Sequence, residues 1–242
     1  MIIIGLSGKA RTGKSRLCRE LYDAAEKLGW DVFVKPFAGP LKKYVSEALG
    51  YTKENNPKEY RENCQKIGAE KRKENSDHWV SLWYEDMVNE HLDEMANAER
   101  PALYLVDDVR YPNEMKILKS PKVNATLLFV KHKTRKIEDP DGEWRTHESE
   151  KIANKLEAID DNDLKERYNY DFVIHNDKSE AVLENWAVNF ITYLSSNDPC
   201  LCEACSARYE MRAPDENKID AELKKLMDEL DLSDNSEEEE DV

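Results

Sequence analysis

A run of eight residues near the start of the chain constrains the fold more than any other feature. Gly8-Lys9-Ala10-Arg11-Thr12-Gly13-Lys14-Ser15 follows an apolar segment and precedes a stretch with helical periodicity. This is the G-x-x-x-x-G-K-[ST] spacing of a phosphate-binding P-loop, in the strand-to-helix setting that the motif requires. The glycines let the main chain curl so that its N–H groups converge on an anion, and the helix adds the positive end of its dipole. In such a loop Lys14 reaches the β- and γ-phosphates of a nucleoside triphosphate, and the Ser15 hydroxyl holds Mg²⁺.

Apolar segments and helical periodicities alternate along the rest of the chain, as expected for a parallel α/β domain. Residues 2–6 and 30–35 flank a helix pattern over 14–28, which closes a β-α-β unit. Further strand patterns cover 102–106, 125–130 and 170–174, and helix patterns cover 41–50, 58–74, 77–98, 113–119 and 149–159, with a last apolar helix face of Leu183, Trp186, Ala187, Phe190, Ile191 and Leu194. The sequence therefore predicts a three-layer P-loop NTPase fold with a five-stranded, mainly parallel sheet and flanking helices.

The third strand pattern ends in two neighbouring acids, Asp107 and Asp108. P-loop enzymes place a carboxylate of the metal shell at such a strand end, so Ser15, Asp107 and Asp108 are the predicted metal ligands. The sequence does not decide which of the two acids faces the metal. The alternative is that an acid here caps the next turn or helix, for which Asn113 is the predicted N-cap.

Cationic side chains cluster after the second strand and again at the end of the third. The most basic region of the chain contains Arg61, Lys66, Lys71, Arg72 and Lys73. Arginine clamps a phosphate with bidentate geometry, and a charged loop over about 131–150 could close over the triphosphate as a lid. These features favour a kinase for a small phosphorylated acceptor, with Lys14, Asp108 and Arg110 as its catalytic residues. Most charge clusters, however, are solvated faces.

Charge is spread unevenly along the chain. The formal net charge is −15, and residues 214–242 alone contain thirteen acids and three bases. A nearly neutral body without a basic stripe is not expected to bind duplex DNA. The chain shows no run long enough to span a membrane and no signal segment, so a cytoplasmic location is expected. We divide it into a kinase domain over 1–197, with a helical acceptor-binding insertion over about 40–98, and an acidic, partly disordered tail over 198–242.

Three of the five cysteines lie in this tail, at Cys200, Cys202 and Cys205. Their spacing resembles half of a zinc site, but zinc prefers four ligands, and His175 or Cys64 would have to complete the set. Zinc is therefore the minor alternative. Residues 218–230 are typical of an amphipathic helix that either docks on its own domain or binds a protein partner. A homodimer also stays open.

Seven short stretches, in order over about residues 1–194, carry a recognisable family pattern. The two most telling are Phe37-Ala38-Gly39-Pro40-Leu41-Lys42 and Asp108-Val109-Arg110-Tyr111-Pro112-Asn113-Glu114. The others are Gly8 to Ser15, Gln65-Lys66-Ile67-Gly68-Ala69-Glu70, Asp77-His78-Trp79-Val80, Thr146-His147-Glu148-Ser149-Glu150 and Asp171-Phe172-Val173-Ile174-His175-Asn176-Asp177. In these stretches the chain resembles the bacteriophage deoxynucleoside monophosphate kinases. The segment after about residue 198 departs from that pattern.

The resemblance implies ATP- and Mg²⁺-dependent transfer of a phosphoryl group to a deoxynucleoside monophosphate, in the host cytoplasm if a phage encodes the chain. By motif position, ATP would contact Gly8, Arg11, Thr12, Gly13, Lys14 and Ser15. The acceptor would be surrounded by Phe37, Lys42, Arg61, Gly68, Trp79, Arg110, Glu114, Trp144 and Glu148. Aromatic rings such as Phe37 and Trp79 could stack on any base, so the sequence does not predict which bases are accepted.

Two other functions stay open at this point. One is a P-loop kinase for another phosphorylated metabolite, such as dephospho-coenzyme A or phosphomevalonate. The other is a nucleotide-gated binding protein that recruits partners through its acidic tail. The kinase interpretation carries a geometric requirement that a structure can test, because Lys14 on the donor side and Arg110 on the acceptor side must face the same space.

Overall fold

A single parallel sheet forms the centre of the molecule. The computed structural model describes residues 1–88, 100–132, 148–177 and 179–196. Its strands are β1 (Ile2–Ser7), β2 (Asp31–Val34), β3 (Ala102–Val109), β4 (Thr126–Lys131) and β5 (Phe172–His175). They lie in the order β2-β3-β1-β4-β5, and every neighbouring pair is parallel. Their carboxyl ends therefore meet at one edge, where open α/β sheets hold their ligands.

Helices cover both faces of this sheet. They are α1 (Lys14–Lys27), α2 (Gly39–Leu49), α3 (Pro57–Glu74), α4 (His78–Met87), α5 (Pro112–Lys119), α6 (Glu148–Glu157), α7 (Asp161–Glu166) and α8 (Glu180–Ser195). α1 and α8 bury one face through residues such as Leu21 and Ile191. The opposite face is buried by α4 to α7, with Trp83 and Leu118 among the packed side chains. The predicted three-layer P-loop NTPase fold is confirmed.

Strand β3 shows how the apolar pattern produces these two layers. Leu103 and Leu105 pack in the cluster that holds α1, whereas Tyr104 and Val106 pack in the other, and all four are fully buried. Alternate residues of a strand point to opposite faces, so a strand covered on both sides is apolar throughout. The register against β1 shifts after Val106, directly before Asp107 and Asp108.

The helices α2, α3 and α4 lie between β2 and β3, where the sequence predicts an acceptor-binding insertion over about 40–98. They share a small core of their own, built from Leu41, Val45 and Trp79. Gly68 lets α3 approach α2, because a Cβ there would lie 3.1 Å from Leu41 Cδ2. The insertion therefore packs as a unit beside the carboxyl edge of the sheet.

Several boundaries differ from those that the sequence predicts. β3 runs on to Val109, so both acids lie within the strand and not after it. Tyr111, not Asn113, precedes the first turn of α5, because the following Pro112 supplies the fixed φ that suits a first helical position. Asn113 instead donates from Nδ2 to the Ser76 carbonyl and to Asp77 Oδ1. The short helix α7 was not predicted, and 89–99, most of the lid-like loop over 131–150 and the tail lie outside the described residues.

Candidate functional site

The P-loop depends on its two glycines at positions where no other residue fits. Gly8 has a φ of 131°, and a Cβ there would lie 2.4 Å from the carbonyl oxygen of Val130. Gly13 has a φ of 101°, and its Cβ would lie 2.1 Å from Asn176 Nδ2. That amide also donates a 2.8 Å hydrogen bond to the Thr12 carbonyl, which ties the loop to the end of β5. The loop is thus held closely against the ends of β4 and β5, which lie on one side of β1.

Lys14 lies folded into the loop that precedes it. Its Nζ donates to the carbonyl oxygens of Gly8 and Lys9, each at 2.6 Å. Burial, with a further contribution from the positive charge of Arg110, lowers the pKa of Lys14 to about 8. The carboxylates of Glu150 and Asp107 act in the opposite direction. The predicted phosphate-binding lysine therefore belongs to a tightly coupled group of charges.

A single carboxylate joins the P-loop to the end of β3. Glu150 is buried, and its Oε2 accepts a 3.1 Å hydrogen bond from the Ala10 main-chain N–H. Its Oε1 accepts a 3.1 Å charged hydrogen bond from Arg110 Nη1, which also donates to Ser149 Oγ. Because one carboxylate touches both groups, and because Arg110 lowers the pKa of Lys14, the P-loop and Arg110 lie close together. That Lys14 and Arg110 serve one donor and acceptor site stays a prediction.

The two acids of β3 take part in different contacts. Asp108 accepts hydrogen bonds from the N–H groups of Phe37 and Ala38, at 2.7 and 3.0 Å, so both of its oxygens hold the loop after β2. Burial raises the pKa of Asp108. Asp107 instead lies on the side of α1, where its charge raises the pKa of the Cys18 thiol beyond the effect of burial. Of the two acids, Asp107 is therefore the one placed near Lys14.

Ser15 and Asp107 are oxygen donors of the kind that Mg²⁺ takes, and both stay predicted ligands. Mg²⁺ keeps several waters and is held by one or two carboxylates together with substrate phosphates, and not by a cage of protein ligands. Within the described ranges, no group of three or more His, Cys, Asp or Glu side chains is arranged around a metal ion. A hydroxyl at the start of α1 and one carboxylate at the end of β3 are the donors that this chemistry requires.

On the acceptor side, the strongest candidate is a residue outside the predicted site. The Arg72 guanidinium lies over the ring of Tyr111, with Cζ 4.3 Å from the ring centroid. Burial raises the pKa of Tyr111 to about 12, and Arg72, Glu148 and Arg110 are all close enough to affect it. Arg72 on α3 and Arg110, which directly follows β3, thus both lie near one tyrosine. Arg72 belongs to the basic region of the sequence, but the spacing of the cations in that region does not indicate which of them reaches the sheet.

Glu114 has a capping contact in the structure. Its Oε2 accepts hydrogen bonds from the N–H groups of Arg110 and Tyr111, at 2.7 and 2.9 Å. Burial, reinforced by the charge of Asp108, raises the pKa of Glu114 to about 7. The side chain therefore fixes the backbone beside Arg110 at the start of α5. A direct contact between Glu114 and an acceptor stays a prediction.

The other predicted acceptor residues are distributed between core and surface. Phe37 is 2% exposed and its ring centroid lies 4.5 Å from that of Trp83, while Trp79 donates from Nε1 to the Gly68 carbonyl. Both predicted stacking rings are thus buried, and a base would reach them only if neighbouring side chains moved. Lys42, Arg61 and Glu148 are exposed. Arg61, Gly68 and Arg72 share one face of α3, because positions seven and eleven residues apart nearly coincide on a helix.

Several predicted residues cannot be placed. Trp144 lies outside the described residues, as do the tail cysteines Cys200, Cys202 and Cys205. Two side chains were suggested to complete a zinc site. Cys64 is a free thiol, and Nε2 of His175 lies 2.6 Å from Oδ2 of Asp161. Zinc binding therefore stays a prediction.

The sheet order and the P-loop together define the P-loop NTPase class of fold. Solved structures with a similar chain path include three shikimate kinases, from Acinetobacter baumannii (in complex with shikimate), Aquifex aeolicus and Bacteroides thetaiotaomicron. Identities are 15%, 11% and 14%, and TM-scores are 0.39, 0.33 and 0.36. The matches cover 82%, 81% and 80% of this chain and 95%, 100% and 97% of the others.

These similarities are too distant to assign a substrate or a reaction. No protein-family model matches the chain, and no curated protein matches it. The comparisons do not show membership of the phage family that the sequence motifs resemble. Among the helices of the described ranges, none is both long enough and apolar enough to cross a bilayer.

Proposed function

We propose that this protein transfers the γ-phosphoryl group of ATP to a deoxynucleoside monophosphate. The observation that carries the proposal is the Glu150 bridge, because it places the P-loop N–H of Ala10 and the guanidinium of Arg110 on the two oxygens of one carboxylate. Phosphoryl transfer requires an anion site for the donor beside a cation for the acceptor or the transferred group. The resemblance to the phage kinases supports the choice of acceptor.

The chemistry asks mainly for positioning and for stabilisation of negative charge. Lys14 supplies a cation at the β- and γ-phosphates, and Arg110 supplies a second one across the Glu150 carboxylate. Mg²⁺ held by Ser15 and Asp107 would neutralise charge on the triphosphate. Arg110 is partly exposed, so its guanidinium remains accessible to a substrate phosphate.

Arg72 extends this positive region toward the acceptor. Its guanidinium is partly buried on the Tyr111 ring, and Glu148 lies near the same tyrosine. We expect Arg72 and Arg110 to bind the monophosphate together, and the exposed Glu148 carboxylate to accept hydrogen bonds from sugar or base. Asp108 supports this arrangement indirectly, since it fixes the loop that starts at Phe37.

Purified full-length protein should form deoxynucleoside diphosphate from MgATP and at least one of the four deoxynucleoside monophosphates. Product would be separated by ion-exchange chromatography, which distinguishes transfer from ATP hydrolysis. Dephospho-coenzyme A and phosphomevalonate would be assayed in parallel as acceptors. Turnover of either one without turnover of any deoxynucleotide would replace the proposed acceptor, and no transfer to any of them would refute a kinase.

Lys14→Ala is the matched loss-of-function control. It removes the cation that contacts the phosphates, and we expect turnover to fall by at least about 100-fold. In this variant water can donate to the Gly8 and Lys9 carbonyls in place of Lys14, so the fold should persist. Turnover like that of the wild type in this variant would contradict the role of the P-loop.

A further inference from the structure

Glu150 is a buried side chain whose two oxygens serve two different partners. It is 4% exposed, lies in the first turn of α6 and reaches Ala10, which is 140 positions earlier in the chain. Buried carboxylates are costly unless both oxygens are paired, and here a main-chain N–H and a guanidinium pair them. The Glu150 carboxylate is thus a built feature of the interior, bonded to a guanidinium that is partly exposed.

The partner at Ala10 is unusual for a protein side chain. The N–H groups of a P-loop converge so that an anion can accept from several of them at once. Glu150 provides an anion of the molecule's own at one of these donors, at 3.1 Å. Arg110 is held at the other oxygen, and its Nη1 is steadied further by Ser149 Oγ at 3.1 Å.

We propose that Glu150 competes with the triphosphate for the P-loop and also positions Arg110 for phosphoryl transfer. This inference rests on the proposed function and deepens it. A carboxylate hydrogen-bonded to Ala10 N–H lies where phosphate oxygens must come close, and juxtaposed like charges repel. Triphosphate binding therefore separates Glu150 from Ala10, while the same carboxylate remains bonded to Arg110 and keeps that guanidinium at the edge of the P-loop.

The two roles make opposite predictions for one substitution. Glu150→Gln removes the charge that opposes the phosphates, so MgATP should bind about tenfold more tightly. The same change weakens the hold on Arg110, and a misplaced catalytic group typically costs about 10²-fold in rate, so kcat should fall by about tenfold or more. A general folding defect would weaken binding and turnover together and would not separate them in this way.

Two further variants separate the effect of the hydrogen bond between Glu150 and Ala10 from the effect of a negative charge near Lys14. Glu157→Gln makes the same change on the same helix, at a carboxylate that also acts on Lys14 but whose hydrogen bond goes to the His132 N–H. MgATP affinity should change by less than about twofold in that variant, since Glu157 contributes least among the charges that affect the pKa of Lys14 and its hydrogen bond is to His132 and not to the P-loop. Glu150→Asp keeps the charge and should keep the dissociation constant within about threefold of the wild-type value.

The experiment is calorimetric titration of MgATP into each full-length protein without acceptor, followed by kcat with the best deoxynucleoside monophosphate. Circular dichroism and thermal unfolding would establish that each variant is folded. Tighter MgATP binding with slower turnover in Glu150→Gln alone supports the inference. Unchanged or weaker MgATP binding in Glu150→Gln, or equal tightening in Glu157→Gln, overturns it while leaving the kinase proposal intact, whereas a wild-type protein that neither binds MgATP nor transfers phosphate refutes the proposed function itself.

Discussion

The carboxylate of Asp108 accepts a 2.7 Å hydrogen bond from the main-chain N–H of Phe37. The second oxygen of the same carboxylate accepts from the next N–H, that of Ala38. The end of β3 therefore fixes the loop that leaves β2 and leads into α2. Because α2 is followed by α3 and α4, one acid of β3 fixes the point from which this group of helices starts.

Asp108→Ala should lower the stability of the protein. It leaves two main-chain N–H groups without their acceptor beside the buried Phe37, and each such loss costs about 1–3 kcal/mol. Chemical denaturation monitored by circular dichroism would measure the change in the free energy of unfolding. Asp108→Asn keeps one carbonyl acceptor and should lose clearly less. Equal stability of Asp108→Ala and the wild type would contradict the loop-fixing role.

Asp107→Asn should lower turnover but leave stability nearly unchanged, unlike Asp108→Ala. Asp107 faces α1 and Lys14, so removing its charge should leave the free energy of unfolding within about 0.5 kcal/mol of the wild-type value. Turnover should fall by about 100-fold, and the Mg²⁺ concentration needed for half-maximal rate should rise. Rates measured over a magnesium series would show both effects. An unchanged magnesium dependence would remove Asp107 from the metal shell.

Much of the fold can be read from the sequence because it rests on local patterns. Runs such as residues 102–106 are apolar throughout, and only a strand covered on both faces requires that composition. Gly8 and Gly13 lie where a Cβ would collide with Val130 or Asn176, so the motif that they define already implies the turn. Strand ends are less well predicted. β3 continues through Asp107 and Asp108, and the hydrogen bonds of Asp108 come from the distant loop after β2.

The candidate site is harder to predict because it depends on side chains that meet across the fold. Thr146-His147-Glu148-Ser149-Glu150 contains two glutamates two positions apart, and only the packing of α6 decides that Glu150 is buried against Ala10. Arg72 was one of several cations on α3, and its contact with Tyr111 is a contact between elements that are distant in sequence. Phe37 was expected beside a base, yet its ring packs on Trp83.

Glu114 should make stability depend on pH. Its pKa rises from 4.5 to about 7 on folding, chiefly because the carboxyl is buried. A raised pKa means that the folded state holds its proton while the unfolded state releases it, so stability is lost as pH rises from about 4.5 to 7. The free energy of unfolding of the wild type, relative to Glu114→Gln, should therefore fall across this window, by at most about 3 kcal/mol.

The glutamine variant is a suitable reference because its carbonyl can still accept the Arg110 and Tyr111 N–H bonds and does not titrate. Urea denaturation at pH 5, 6, 7 and 8 would give the difference between the two proteins at each pH. A constant difference from pH 5 to 8 would contradict the raised pKa. Glu114→Ala should be less stable than either at every pH, since it leaves both N–H groups unpaired.

Lys14 should make triphosphate binding depend on pH. Its pKa of about 8 in the protein means that the ammonium is fully charged only below this value. The phosphates bind the charged form, so above pH 8 binding must first recover a proton, and the dissociation constant of MgATP should rise by up to about tenfold per pH unit. Calorimetric titrations between pH 6.5 and 9.5 would show the break. Lys14→Arg does not titrate in this range and should show a flat profile over the same pH values.

Arg72 and Arg61 offer a matched pair on one helix for testing the acceptor side. They share a face of α3 eleven positions apart, about 16 Å at 1.5 Å per residue, but only Arg72 reaches Tyr111 at the sheet edge. Arg72→Ala should raise KM for the deoxynucleoside monophosphate by about 10- to 100-fold, as loss of a charged hydrogen bond to phosphate does, with KM for ATP nearly unchanged. Arg61→Ala should show a smaller rise, since its side chain is exposed. Steady-state kinetics with each substrate varied in turn would give the two KM values separately. A larger effect at Arg61 than at Arg72 would contradict the role of Arg72 and favour Arg61, the residue that the sequence motif predicts to bind the acceptor.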